Sequence, residues 1–363
     1  MELLNIKREV EKLSNILRLV EDCLEIPYLA SRIQNLNQLI DKQTFWKNPT
    51  SAHQTLEKIK SLIHDRQEQY QRSHFLLEDI KAAVELLELL DDEQLLQEAQ
   101  TNLSQVWEEL DKVEIRQLLS DTCEKNQAFI TITADLSSVD AQAWALMLFR
   151  MYYLWAISHG YKVFPVDINK PDEPNIKYAL EITGYYAYGY LKSEQGRHAR
   201  ILRISPFNGN GRRYTSFTNV EVSPILDESV EFEIPEKNLE IILPPPQGNV
   251  NRRAVWVGVF HLPTGITVFC NNERNQLQNK DKALAILKSK LWVIMQAQGV
   301  NQIAKIKPKE ITSLSSNPVR EYVLHPYQKV KDLRTNLETT AVAEVLDGEI
   351  DLFIKAYVQQ NNS

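Results

Sequence analysis

The chain has 363 residues, of which 43% are hydrophobic and 25% are charged, enough for two to four domains with buried cores. No stretch reaches the ~18 uncharged apolar residues of a membrane-spanning helix, and the N-terminus resembles neither a signal peptide nor a transit peptide. The three scattered cysteines form no metal or pairing pattern, which is typical of a reducing compartment. We therefore expect a cytoplasmic protein, or a plastid stromal one if a transit peptide has been removed, with no membrane partner, metal or cofactor.

The charge is distributed unevenly along the chain. The net charge is −7, but residues 1–125 hold 15 Lys and Arg against 24 Asp and Glu, whereas residues 250–310 hold 10 against 3. A basic segment in an acidic chain favours an anionic partner at that segment. A solvated basic face without a partner is the alternative, and charge alone does not separate the two.

The pattern of the first third predicts helices. No glycine precedes Gly160, and apolar residues recur at helical spacing near the N-terminus. These residues are Leu3, Ile6, Val10, Leu13, Leu17, Val20 and Leu24. Pro27 ends this helix, and a break follows at Asn48–Ser51. Asp91-Asp92 can cap a later helix that runs to about Leu119. Both a coiled-coil hairpin that docks a partner and a plain helical bundle fit this pattern.

Strands and helices mix from residue 128 onward. Ala128–Ala134 alternates like a strand, and Ser138 or Asp140 can cap the helix that follows. The apolar face of that helix comprises Trp144, Met147, Leu148, Met151, Leu154 and Trp155. Further strands are predicted near Ile176–Ile182, Ala199–Ile204 and Val220–Val222. This mixture is typical of an α+β domain.

A smaller α+β unit follows between proline-rich segments. Its predicted elements are the strands Val255–His261 and Ile266–Cys270, joined by a turn at Leu262–Gly265, and a helix from about Asp281 to Ala297. The chain closes with a strand near Arg320–Leu324 and a helix from about Thr340 to Val358. The predicted fold class is therefore multidomain α+β, with an N-terminal helical or coiled-coil domain.

Eight segments of the chain form a recognisable series, which is Trp144–Tyr152, Tyr186–Leu191, Ser205–Phe207, Gly211–Phe217, His261–Ile266, Asn279–Ala283, Lys331–Thr335 and Val345–Gly348. Together they resemble the type-2 class I peptide chain release factors, a family that reads the stop codons UAA and UGA. The match covers residues 128–358 in the family's order, while residues 1–118 match in helical character and length. The resemblance implies a helical domain at 1–118, a decoding domain at 119–229 completed by 317–358, and a third domain at 230–316.

The family's codon-reading tripeptide is intact as Ser205-Pro206-Phe207. A serine hydroxyl both donates and accepts hydrogen bonds, so it tolerates adenine or guanine at one codon position. The resemblance also implies RNA contacts for Arg212, Arg213 and Tyr214. The family has a histidine in place of Tyr214, and a tyrosine ring can still stack on a base.

Other codon-proximal positions depart from the family. Where the family begins its decoding helix with Gly-Gly-x-Glu, this chain has Ser137-Ser138-Val139-Asp140. Side chains replace glycine where the backbone must approach a base closely, and the Asp140 carboxylate is one methylene shorter. The family's switch-loop tryptophan aligns with Ser315. We expect recognition to be weakened at the first codon base and retained in outline at the next two.

The family's hydrolytic Gly-Gly-Gln aligns with Pro246-Gln247-Gly248 in a shorter loop. Those glycines permit positive φ, and the glutamine backbone N–H stabilises the oxyanion formed on the peptidyl-tRNA ester. Proline has φ fixed at about −65° and no N–H, so the sequence predicts that hydrolysis is lost and that no catalytic residue remains. The basic residues around the loop can still contact RNA phosphates. These residues are Arg252, Arg253, Arg274 and Lys280.

The sequence therefore favours a release-factor-derived RNA-binding protein without peptidyl-tRNA hydrolysis. Its target is the ribosomal A site or a messenger RNA, the latter by similarity to plastid release-factor-like proteins that stabilise transcripts. The alternative is an active UAA/UGA release factor with an unorthodox catalytic loop. The family also implies a translational GTPase as a partner of the N-terminal domain.

Overall fold

The computed structural model describes residues 6–15, 74–87, 92–119, 122–134, 139–169, 177–202, 214–226, 234–244, 255–300, 302–306 and 317–362. These residues belong to two compact units, Met1–Gln117 and Leu118–Ser363. Each unit is described by itself.

The first unit consists of helices in its described parts. They are α1 (residues 6–15), α2 (residues 74–87) and α3 (Glu93–Leu118). Ile6, Leu13, Ile80 and Val106 are fully buried between them, which confirms the predicted apolar stripe where α1 is described. The rest of that stripe, Pro27 and the Asn48–Ser51 break lie outside the described residues.

The predicted cap of α3 is confirmed at one of its two candidate residues. The Asp92 carboxylate accepts hydrogen bonds from the backbone N–H groups of Gln94 at 2.9 Å and Leu95 at 3.3 Å. These two donors have no intrahelical partner, so the carboxylate satisfies them and also lies at the positive end of the helix dipole.

The second unit is built on an eight-stranded sheet. Its strands are β1 Ala128–Ala134, β2 Lys162–Val166, β3 Lys177–Thr183, β4 Gly196–Leu202, β5 Tyr214–Pro224, β9 Pro318–Val323, β10 Lys329–Asp332 and β11 Glu338–Thr339. Their order in the sheet is β11-β10-β9-β4-β5-β1-β3-β2. Neighbouring strands are antiparallel except β4 and β9, which are parallel. The strands near the C-terminus therefore complete a sheet that begins at residue 128.

Helices cover one face of this sheet. They are α4 Val139–Ser158, α5 Ala187–Leu191, α7 Val342–Leu346 and α8 Asp351–Asn362. Trp144 and Trp155 on α4 are fully buried, and the Trp144 ring meets the edge of Tyr322 on β9 at 4.8 Å between centroids. The predicted apolar face of α4 is therefore confirmed as the side that packs on the sheet.

A small module packs against the other face of the sheet. It contains the antiparallel strands β6 Leu239–Ile242, β7 Val257–His261 and β8 Ile266–Cys270, and the helix α6 Gln276–Ala297. Leu287 and Val259 of the module share one apolar core with Phe129 of the large sheet. Ion pairs of 2.7 Å, Lys282 with Glu181 and Lys290 with Glu221, join the two at this interface.

Several predicted boundaries were wrong. α6 begins at Gln276 rather than near Asp281, because the Asn275 side chain caps it by accepting from Leu277 N–H at 3.0 Å. Asp140 lies inside the first turn of α4 and is not its cap, while the alternative cap, Ser138, lies outside the described residues. β5 spans eleven residues, far beyond the predicted Val220–Val222.

The predicted C-terminal helix is two helices, α7 and α8. The chain breaks at Gly348, which has φ of 111°, a conformation that L side chains rarely adopt. A Cβ at this position would lie 2.7 Å from the backbone nitrogen of Trp155, so glycine lets the chain pass close to α4. The short strands β2, β6, β10 and β11 were not predicted.

Candidate nucleic-acid interface

The loop that carries the tripeptide connects two central strands. Leu202 at the end of β4 pairs with Tyr214 at the start of β5. The connecting residues 203–213 therefore leave and rejoin the same end of the large sheet. Ser205-Pro206-Phe207, Arg212 and Arg213 lie in this connection, outside the described residues, and Tyr214 is described through its backbone as the first residue of β5.

The N-terminus of α4 is tied to the same end of the sheet. Arg200 on β4 donates from Nη2 to the Asp140 carbonyl oxygen at 2.7 Å and to its Oδ1 at 3.3 Å. Both residues are buried, with 4% and 1% of their surface exposed. The Asp140 carboxylate thus anchors the start of α4 to β4, and an RNA contact through it would require breaking a buried ion pair. Ser137 lies outside the described residues.

A second buried ion network fixes the strands on the other side of β4. Arg320 on β9 donates to both Glu194 carboxylate oxygens, at 2.6 and 2.7 Å, and to Asp332 Oδ2 at 3.3 Å. All three side chains have no exposed surface. Burial alone would raise the pKa of Asp332, but hydrogen bonds from Arg334 and the Arg320 charge outweigh it and lower that pKa. The network therefore holds β9 and β10 against the turn before β4.

His198 is a structural residue within this network. Its Nε2–H donates to the Glu194 carbonyl oxygen at 2.9 Å, and the ring is fully buried. Burial lowers the pKa of His198 to about 4, so the ring is neutral near pH 7.

The candidate hydrolytic loop connects β6 and β7. These strands pair from Leu239 with His261 to Ile242 with Gly258, so the chain between them is the loop of an antiparallel hairpin. Pro246-Gln247-Gly248, Arg252 and Arg253 lie in this loop, outside the described residues. The described ends of the loop are Pro244 and Val255.

The basic residues of the module divide into two groups. Lys282 and Lys290 are engaged by carboxylates of the large sheet, so part of the basic excess neutralises the protein itself. Arg274 is exposed in the turn after β8, and Lys280 is half-buried in the first turns of α6. Of the four predicted RNA-contacting basic residues, the described two therefore lie at one end of the module.

Four residues that hold the surrounding strands and helices together by buried side-chain bonds were not predicted from the sequence. They are Arg200, Glu194, Arg320 and Asn279. Glu194 and Arg320 are 126 positions apart, so no local pattern indicates their pairing. Asn279 lies in a segment that resembles the family, but no role was predicted for its side chain.

Comparisons with known proteins agree with this architecture. The PCRF domain matches residues 29–220, and the RF-1 domain matches residues 228–334. The chain belongs to the class I peptide chain release factors. The peptide chain release factor PrfB1, chloroplastic, of Arabidopsis thaliana is 40% identical over 98% of this chain and 79% of its own length.

Alignments with bacterial relatives cover nearly the whole of this chain and nearly the whole of each relative. Peptide chain release factor 2 of Listeria innocua is 35% identical over 99% of each chain, and that of Thermomicrobium roseum is 37% identical over 99% of this chain and 95% of its own. RF2 of Thermus thermophilus has a TM-score of 0.60 and 29% identity, covering 95% of this chain and 99% of that one. The predicted α+β multidomain fold and the membership of the class I peptide chain release factors are thereby confirmed, and the similarity extends into the N-terminal third.

Among the described residues, no helix of this chain has the length and apolar character needed to cross a bilayer.

Proposed function

We propose that this chain acts in translation termination as a release factor for UAA and UGA. It enters the ribosomal A site with the β4–β5 loop directed toward the codon. One observation carries the proposal: the chain aligns over 99% of its length with a protein named peptide chain release factor 2, and Ser205-Pro206-Phe207 is intact. The buried ion pair of Arg200 with Asp140 supports it, because Arg200 lies two residues before the end of β4, where the loop begins.

The names of the relatives favour peptide release over the loss of hydrolysis that the sequence predicts. In an active protein Gln247 takes the role of the catalytic glutamine, since it is the sole glutamine of residues 245–254. Gln247 retains a backbone N–H that can stabilise an oxyanion, although Pro246 before it does not. Gly248 after it supplies the backbone freedom that the preceding prolines remove.

A release-factor-derived protein without hydrolysis is the second candidate, and one observation favours it. None of the eleven glycines is adjacent to another, so Gly-Gly-Gln occurs nowhere in the chain. In this function the chain occupies the A site or protects a transcript without cleaving an ester. Arg252, Arg253, Arg274 and Lys280 contact RNA phosphates in either case, and these contacts make binding salt-dependent.

A termination assay separates the two candidates. Ribosomes carrying peptidyl-tRNA with UAA, UGA or UAG in the A site are mixed with the wild-type chain or the Gln247→Ala variant. An active release factor frees peptide at UAA and UGA, and the variant frees much less. Binding at those codons without release supports the second candidate, and no codon-dependent binding contradicts both.

Two further proposals concern partner and compartment. The N-terminal unit meets a translational GTPase, as the family implies, and pull-down of the full chain with and without residues 1–117 tests this. The compartment is the cytoplasm or the plastid stroma, the latter supported by the chloroplastic Arabidopsis relative. Fluorescence microscopy of the tagged protein in its own cells distinguishes them.

A further inference from the structure

A cavity lies between the large sheet and the small module. Its volume is about 370 Å³, and described residues line it, chiefly from β1, β5, β8 and α6. Ligand sites in proteins begin at about this size, and an apolar cavity of about 150 Å³ is already enough to hold benzene. The cavity therefore has room for a small organic molecule.

One wall of the cavity is a polar part of the large sheet. Thr131 on β1 lies opposite Glu221 on β5, and two residues along the same strands Thr133 lies opposite Asn219. Side chains alternate between the two faces of a strand, so these residues share a face with Phe129, which packs against the module. Their polar groups are therefore directed toward the module.

The opposite wall is apolar and comes from the module. Ile286, Val293 and Ile294 recur at helical spacing along α6, so they lie on one side of that helix. Val268 on β8 continues the same apolar surface. One polar wall that faces one aliphatic wall is the lining that an amphipathic ligand requires.

Two polar groups of the sheet wall have unused capacity for hydrogen bonds. The Thr131 hydroxyl and Asn219 Oδ1 are buried and make no hydrogen bond within the part of the chain that the structure describes. Thr131 has only 2% of its surface exposed. A buried hydroxyl or amide oxygen without a partner is costly, and a ligand that carries a hydroxyl or carboxamide group supplies that partner.

The charged residues of the lining already act on one another. Lys290 on α6 donates to Glu221 Oε2 at 2.7 Å. The Lys290 charge and, to a smaller extent, the Lys177 charge lower the pKa of Glu221, so this carboxylate stays ionised beside the cavity. A charged ligand would lose its own water beside this cluster, which is costly, whereas an uncharged polar group would not.

We propose that this cavity is the binding site of a small uncharged amphipathic molecule. A hydroxyl or carboxamide group of the ligand bonds to Thr131 and Asn219, and its apolar body packs against α6. Because the ligand contacts the large sheet and the module together, its binding stabilises their packed arrangement. This site does not depend on whether the chain releases peptide.

Methyl NMR titration of the full chain, labelled at its Ile and Val methyl groups, tests the site. The probes are benzyl alcohol, its isostere ethylbenzene, in which a methyl group replaces the hydroxyl, and benzoate, which is charged. We expect benzyl alcohol to shift the Val293 and Ile294 signals saturably and to leave Val330 on β10, which is fully buried outside the cavity lining, unchanged. Benzoate should bind more weakly than benzyl alcohol.

Thr131→Val tests the polar wall, because valine keeps the size of the side chain and removes the hydroxyl. It should weaken benzyl alcohol binding by about fivefold, the effect of one hydrogen bond, and should not weaken ethylbenzene binding. Thr218→Val is the matched control. Thr218 on β5 is also buried with an unpartnered hydroxyl, but it precedes Asn219 by one residue and so lies on the opposite face of the sheet. Its substitution should leave both affinities unchanged.

Val293→Trp tests the apolar wall, because the larger ring occupies the cavity and should abolish the shifts at Ile294. Leu277→Trp is its control, since Leu277 on the same helix is 61% exposed and does not line the cavity. If Val293→Trp does not fold, Thr131→Val carries the test. The proposal is overturned if benzyl alcohol causes no saturable shift at the cavity, if Thr131→Val and Thr218→Val weaken its binding equally, or if benzoate binds more tightly.

Discussion

The two candidate sites rest on frames of different chemistry. The strand that leads into the candidate codon-reading loop is held by buried ion pairs, Asp140 with Arg200 near the loop and Arg320 with Glu194 at the other end of β4. The small module that carries the candidate hydrolytic loop has a three-stranded sheet, a neutral asparagine, Asn279, that donates to the Val255 carbonyl oxygen, and ion pairs with partly exposed members. Removing one partner of a buried pair leaves an uncompensated charge, whereas partly exposed pairs contribute little. We therefore expect the large sheet, which carries the intact tripeptide, to tolerate substitution of its paired residues less than the small module does.

Among the variants that test this comparison, we expect loss of the Arg320 ion network to lower the free energy of unfolding most. Arg320→Met leaves Glu194 and Asp332 buried without their shared cation, and we expect a loss of about 3–5 kcal/mol in the free energy of unfolding, measured by urea denaturation. Lys329→Met is the control, because Lys329 pairs with Glu338 at the exposed edge of the same sheet. Its effect on the free energy of unfolding should be far smaller, because an exposed pair is well solvated. Equal losses for the two variants would remove the distinction between buried and exposed pairs.

Asp140→Asn should have the next largest effect. The change keeps the size of the side chain but removes the charge that faces Arg200, at a cost of about 2 kcal/mol. Arg150→Gln is the control on the same helix, because Arg150 pairs with Asp347 at 2.9 Å and both side chains are mostly exposed. Thermal unfolding of both variants should show a clear loss for Asp140→Asn and almost none for Arg150→Gln. The reverse order would show that the start of α4 is not anchored by this pair.

The pH dependence of stability sharpens the comparison further. The folded pKa of His198 is about 4, below the ordinary value of 6.5, so the unfolded chain binds this proton more readily. The contribution of neutral His198 to the free energy of unfolding is fully present above about pH 6.5 and is lost as the pH falls toward 4. Between pH 8 and pH 5.5 we expect the free energy of unfolding to fall by about 1.4 kcal/mol. Urea unfolding at these two pH values measures the loss, and His198→Gln should flatten it. An unchanged slope in the variant would assign the dependence to other groups.

The smallest effect is expected at the interface of the module. The Lys290 charge lowers the pKa of Glu221, so Lys290→Met should raise that pKa toward its usual value and cost about 0.5–1 kcal/mol in stability. Lys288→Met, two positions earlier on α6, should leave the Glu221 pKa unchanged. Carboxyl NMR titration of both variants and urea denaturation check this. A loss of several kcal/mol at Lys290 would mean that the module is held like the core of the large sheet.

Local patterns predicted much of the fold, and long-range contacts explain the errors. The strands Ala128–Ala134 and Ile266–Cys270 followed from alternation and from the turn at Leu262–Gly265, and both are confirmed. The break at Gly348 depends on its approach to Trp155, which no local pattern contains. Tertiary packing decided that boundary, as it commonly does for helix ends.

The candidate site divides in the same way. The tripeptide and the basic residues could be proposed from sequence, because the segments around them resemble the family, and their roles stay predictions. The buried ion pairs were not predicted from sequence, since a single arginine such as Arg320 in a strand pattern predicts an exposed position. Its partner Glu194 comes from a distant turn, and only the folded sheet brings the two together.

Binding of the labelled chain to programmed ribosomes tests the central claim most directly. Ribosomes with UAA, UGA, UAG or a sense codon in the A site are titrated with the wild-type chain and with a variant in which Ser205-Pro206-Phe207 is replaced by alanines. A release factor of this type binds tightly at UAA and UGA and weakly at UAG and the sense codon, and the variant loses the preference. Equal binding at all four codons, or no binding to ribosomes, would contradict it.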